Sequence, residues 1–181
     1  MSRFMNRRLI TAAALASLLA TPAYAGIHLQ PPGSAPTFTD GGVSLEATGL
    51  LAGLGDRAGA TVNMTAGANV TATCTNPAGQ TQPPGQNPAP ISISGSDKIE
   101  PGSIDHNGNA PFDVTALLAS RTIKGAPECP NGKWTEFVQD LAFTSAVITV
   151  VQGGVSTTVA TCTFSPATSD GTVPASTVAC K

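Results

Sequence analysis

Charged side chains are scarce in this chain, 11% of residues, and beyond residue 25 the six basic ones are scattered. Affinity for phosphate rests on concentrated Lys and Arg, so nucleic acid and anionic membrane surfaces are poor partners for such a chain. Aromatic residues are scarcer still, at 4%. A stacking platform for sugar rings or unpaired bases needs several exposed aromatics, and Phe112, Phe143 and Phe164 fall at alternating positions that a core would claim. Histidine is nearly absent, with only His28 and His106. His106 adjoins Asp105, but neighbours in an extended segment point apart and cannot orient one another as a catalytic triad requires.

Other chemistry is missing in the same way. There is no G-x-S-x-G elbow, and the eleven acidic residues are too dispersed to nominate a glycosidase pair. Asp105, Asn107 and Asn109 have the spacing with which calcium loops begin, but position twelve would be Ala116, where a bidentate glutamate is required. No catalytic residue, metal ligand or cofactor site is therefore nominated. The plainer reading of Asp105-His106-Asn107-Gly108 is a solvated turn.

No apolar run reaches the roughly 20 residues needed to span a bilayer as a helix. The longest, Leu9 to Ala20, follows Arg3, Arg7 and Arg8 and precedes the small-residue site Ala23-Tyr24-Ala25. That order predicts a secretory signal peptide over 1–25, cut after Ala25, and a secreted or periplasmic protein whose mature chain does not insert in a membrane. Cleavage removes three of nine basic residues and none of the eleven acidic ones, so the net charge falls from −2 to −5.

What is present is threonine, glycine, proline and four cysteines. Cys74, Cys129, Cys162 and Cys180 all lie in the exported part, without a C-x-x-C knuckle for a metal. Two disulfides are expected, and four cysteines allow three pairings. Cys162 and Cys180 flank a connection rich in turn formers, while "CTNP" and "CPNG" place Cys74 and Cys129 at strand ends. The favoured pairing is therefore Cys74 with Cys129 and Cys162 with Cys180. A Cys74–Cys162 bridge between the look-alike phrases "TATCTNPAG" and "VATCTFSPA" is the main rival.

From Val43 onward the hydrophobic period is two. Val43, Leu45 and Ala47 alternate with polar residues, as do Val70, Ala72 and Cys74, and Phe112, Val114, Ala116 and Leu118. "DLAFTSAVITVVQGGVSTTVATCTFSP" predicts a hairpin turning at Gly153-Gly154; uninterrupted pairing sets Gln152 opposite Val155, Ser145 opposite Cys162 and Phe143 opposite Phe164. Asn107-Gly108 predicts a second turn between two strands within Ile99–Leu118. "VTALLASRTI" is the best rival for a short helix. The expected fold is all-β, an antiparallel β-sandwich, immunoglobulin-like in the broad sense, stapled by two disulfides. Residues 26–42 are expected as an irregular leader or edge segment and 43–181 as one domain.

Prolines at 77, 83, 84, 88 and 90 stop the Cys74 strand, because proline cannot donate to a central ladder, and they predict a stiff surface loop over 76–90. Pro83, Pro84, Gln86 and Asn87 are the candidate contact residues of that loop. Trp134, in "CPNGKWTEF", is expected as a buried lid near Cys129, with an exposed contact residue as the alternative.

The phrases "TCTNPAGQ", "PPGQNPAP", "PECPNGKWTE", "CTFSPATSDG" and the closing "VAC" together resemble a group of small exported bacterial proteins without an established activity, over Val43 to Cys180. The resemblance implies one exported, β-rich, four-cysteine design and no catalytic residue, substrate or cofactor. The function expected from all of this is non-enzymatic surface contact with an unknown protein or cell-surface partner, in a structural, adhesive or matrix-type role. A binding module or inhibitor acting through loop 76–90 is the alternative, and an exported hydrolase the third class.

Overall fold

The computed structural model describes residues 26–55, 58–82, 89–124, 129–130 and 132–181. The signal sequence expected over 1–25 lies outside the described residues, as do Pro83, Pro84, Gln86 and Asn87 of the proline loop. Eleven strands follow one another: β1 (His28–Leu29), β2 (Thr37–Asp40), β3 (Ser44–Ala52), β4 (Ala60–Thr75), β5 (Ile91–Ile99), β6 (Ala110–Leu117), β7 (Thr122–Lys124), β8 (Thr135–Gln152), β9 (Val155–Phe164), β10 (Gly171–Thr172) and β11 (Val178–Cys180). Short 3₁₀ turns at Pro101–Ser103 and Ala175–Thr177 are the only helical elements among the described residues. The sequence that rivalled as a helix is strand up to Leu117, its inner positions Phe112, Val114 and Ala116 alternating with exposed ones.

All pairings are antiparallel, and the strands form one sheet in the order β10-β2-β3-β6-β5-β4-β8-β9-β11, with β1 on β3 and β7 on β8. The all-β antiparallel class stands. The single sheet curls into a half-barrel that wraps its own core, and its pairing does not confirm the two separate layers of a sandwich. Its ladder narrows to one pair, Ser94 with Leu117, between β5 and β6. There the strands press together so closely that a Cβ on Gly95 would lie 1.7 Å from the Thr115 carbonyl oxygen. Across the curl, Phe38 of β2 meets Phe164 of β9 edge to face, with ring centroids 5.0 Å apart.

The central pair is unusually long. β4 and β8 run alongside each other for fifteen residue pairs, where most strands have about 5–6 residues. Each bulge inserts an extra residue and reverses the side-chain phase. Along β8 the buried set is accordingly Glu136 and Val138, then Leu141 and Phe143, then Ala146, Ile148 and Val150. The register shifts against β4 fall between Gly67 and Ala68 and between Thr71 and Ala72, leaving Gln139 and Thr144 as the extra residues.

A third bulge corrects the expected hairpin register. Gly153 and Gly154 both have positive φ, as a two-residue turn requires, and Gln152 does face Val155. Between Thr158 and Ala160, however, Val159 has no partner, so Cys162 faces Ala146 in place of Ser145. Phe164 consequently leaves Phe143 and packs on Phe38. The second expected turn is also revised. β5 ends at Ile99, and the chain passes through a 3₁₀ turn into a compact loop at Asp105–Asn109 before β6 begins. Residues 26–42 supply β1 and β2, and Phe38 is 1% exposed in the core.

Gly95→Ala should lower unfolding stability by about 3 kcal/mol or more, because backbone rather than a mobile side chain blocks the new methyl group. Gly102→Ala, where a Cβ meets nothing within 4 Å, is the control and should be nearly neutral. Urea denaturation of both variants measures the difference.

Candidate functional site

The cysteine-bearing rim is built first from the end of β4. Cys74 pairs with Cys129 at a Cα separation of 5.7 Å, and Trp134 is half-buried against the bridge. Immediately after β4, Asn76 folds the chain back on itself: its side-chain oxygen accepts from the backbone N–H of Ala78 and of Gln80, and its amide donates to the Gln80 side chain. The N–H of Gln82 then returns to the Cys74 carbonyl at 2.8 Å. The proline loop therefore leaves the sheet from a tied base rather than from a frayed strand end.

The second bridge joins Cys162 to Cys180, which are direct partners in the β9–β11 ladder, with Cα atoms 4.1 Å apart. Both disulfides follow the favoured pairing, and no cysteine is free. Two disulfides accord with an oxidising, exported environment. No helix among the described residues is long and apolar enough to cross a membrane.

His106 is exposed on the compact loop. Asp105 is used structurally: its carboxylate accepts from the N–H of Asn107 and Asn109 and from the Asn109 side chain. These hydrogen bonds, led by the Asn109 N–H, hold its carboxyl below the usual range. Among the described residues no three His, Cys, Asp or Glu side chains are grouped to hold a metal ion.

Two acids, Asp40 and Glu136, are buried where sequence reasoning did not look. Asp40, 3% exposed, accepts the Thr168 hydroxyl and the Gly42 N–H, while the Thr168 oxygen accepts the Phe143 N–H at 2.8 Å. This chain of bonds ties β2 to β8 across the curl. Burial pushes the Asp40 carboxyl up, against the lowering effect of its two hydrogen bonds, and the nearby Asp140 and Asp170 add to the rise.

The broadest feature is the outer face of the sheet opposite the core. Reading the registers across β5, β4, β8 and β9 gives four rows: Lys98-Thr61-Val151-Ser156, Ser96-Asn63-Thr149-Thr158, Ser94-Thr65-Val147-Thr161 and Ser92-Gly67-Ser145-Thr163. Eleven of these sixteen positions carry a hydroxyl, one carries a charge and none is aromatic. All sixteen are exposed or half-buried. Strand geometry spaces the columns by about 4.8 Å and the rows by about 6.8 Å. The alternating serines of "SISGS" were visible in the sequence; their alignment with Thr65, Thr149 and Thr161 needed the register, including the Val159 bulge.

No known protein family matches this chain, and no curated protein or solved structure matches it either.

Two outcomes follow from this geometry. Replacing Cys162 and Cys180 together by serine should cost about 2–4 kcal/mol of stability, measured by denaturant unfolding. The Asp40 effect has a definite sign. Its folded pKa lies above the unfolded value of 3.8, so the folded state holds the proton more tightly, and Asp40's contribution to stability is complete below that value and lost as pH rises through the raised one. Asp40→Asn should flatten the stability profile over that interval, as thermal unfolding across a pH series would report.

Proposed function

We propose that this is an exported, non-enzymatic β protein that acts by surface contact, in a structural, adhesive or matrix-type role, and that the outer hydroxyl grid is its contact face. The observation that carries the reading is the near absence of charge over four strands and four rows of the outer face. A face of this kind has no long-range field to steer a charged partner, and no aromatic anchor of the sort that dominates tight protein interfaces.

Size supports many weak contacts rather than one tight complex. The grid measures roughly 14 by 20 Å between its outermost positions, well below the roughly 800 Å² per partner of a stable interface. Hydroxyl groups exchange water for a partner at little net gain each, so attachment of this type depends on many copies engaging together. The partner is a neutral component of a cell surface or matrix. A small inhibitor acting through loop 76–90 is the second reading, supported by the tied base at Asn76 and Gln82.

The test is attachment of protein-coated beads to native cell surface or matrix. Thr65→Lys combined with Thr161→Lys places two charges in one row without touching the core, and should reduce bound beads about fivefold or more, since a desolvated unpaired charge is costly. Undiminished attachment of that variant overturns the grid as the contact face. Loss of attachment on shortening the proline loop instead would favour the second reading.

A further inference from the structure

We infer that the open edge of β9, where it borders a cleft at the seam of the curl, is a docking site for an extended peptide segment with alternating apolar side chains. β11 covers only the second half of that edge. Its ladder pairs Val178, Ala179 and Cys180 with Phe164, Thr163 and Cys162, and Lys181 exchanges backbone bonds with Thr161 at 2.9 and 3.1 Å. No strand among the described residues covers the first half, 155–160.

The direction of the backbone groups along β9 follows from its two ends. Antiparallel neighbours alternate between pairs that exchange both backbone bonds and pairs that exchange none. The two-residue turn at Gly153-Gly154 closes on the exchanging pair Gln152 and Val155, so Val155 and Thr157 bond to β8 while Ser156 and Thr158 turn their N–H and C=O outward. Thr161 also turns outward, and there Lys181 meets it. Ser156 and Thr158 are exposed, and among the described residues nothing bonds their outward backbone groups. Donors and acceptors spaced in this way are complementary to one kind of ligand, another strand. Natural edges are commonly blocked by lysine or proline, and 155–160 contain neither.

The cleft selects the strand. It has a volume of about 330 Å³ and lies where the open edge meets Lys181, between Val159 and Ala160 of β9 and, across the seam, Leu29 of β1 and the turn at 32–34. Leu29 and Ala160 are buried, and Val159, the bulged residue without a partner on β8, is partly buried beside them. Bulges recur beside functional sites, where they re-aim a side chain. A peptide running antiparallel to β9 meets backbone groups along its length and an apolar wall at one end, and every second side chain is carried to the side of that wall. Because β1 lies against β9 here, the space admits a lone extended segment and not the edge of a second folded sheet.

The site uses the backbone edge of β9 and not the outward side chains of the grid, so its test is independent of the attachment assay. The probe is a blocked pentapeptide of alternating valine and threonine, titrated into the isotope-labelled protein. Saturable shifts are expected at the amides of Ser156 and Thr158 and at the methyl groups of Leu29 and Val159, with exchange of the two amides slowed about tenfold or more at saturation. The same peptide methylated on every backbone nitrogen should bind at least about fivefold more weakly, and serine in place of valine should weaken binding about threefold or more. Ser156→Pro removes one outward N–H and no bond to β8, and should weaken the valine peptide about fivefold. Saturation without slowed exchange at Ser156 and Thr158, or equal binding of the methylated peptide, overturns strand addition. Equal binding of the serine peptide overturns the selection by the cleft. Shifts at Ser156 and Thr158 that grow with the concentration of the protein alone would give the edge to a second copy and overturn the single-strand reading. If Ser156→Pro fails to fold, the wild-type titrations decide by themselves: absence of saturable shifts at these residues rejects the site.

Discussion

The rest of the structure depends on the length of the β4–β8 ladder. Fifteen consecutive pairs extend for roughly 50 Å at the usual rise of a strand, more than a domain of this size can keep flat around one core. Strands twist, and a ladder this long must coil or break. Here it coils, because two bulges bend it and reverse its side-chain phase, so that apolar residues continue to face the inside of the curve. The half-barrel, the meeting of β2 with β9 and the position of both staples all follow from that bend.

Closure of the curl is then a matter of few groups. No ladder joins β10 to β11, and the edges are drawn together by the Phe38–Phe164 contact and by the relay from Phe143 through Thr168 to Asp40. An acid in that relay is costly to bury charged, which is why the Asp40 carboxyl is pushed upward. One disulfide sits at the end of β4, beyond which prolines stop the strand, and the other on the three-residue edge strand β11. A short, stapled edge also offers little backbone to foreign strands.

One architecture thus presents two surfaces of different character. The convex outer face carries the hydroxyl grid, with Lys98 its one charge, suited to repeated weak contact. The seam carries a small apolar cleft beside the open edge of β9. Neither depends on the groups that sequence reading tested for catalysis, and His106 and Asp105 belong to a loop whose hydrogen bonds are spent on its own conformation.

Local signals determined much of this by themselves. Period-two alternation identified the strands around Leu45, Val70, Val114 and Ile148; Gly153-Gly154 identified the hairpin turn; proline placed the end of β4; and turn composition beside each cysteine selected the pairing that forms. These are short-range properties, written in neighbouring residues. Tertiary structure alone decided where the register slips, because a bulge at Val159, Gln139 or Thr144 depends on which phase buries more apolar surface against strands far away in sequence. It likewise decided that the one sheet would curl, and that Phe164 would meet Phe38 rather than Phe143. The hydroxyl grid and the seam cleft join residues from four or more segments, and such juxtapositions exist only once the ladder has bent.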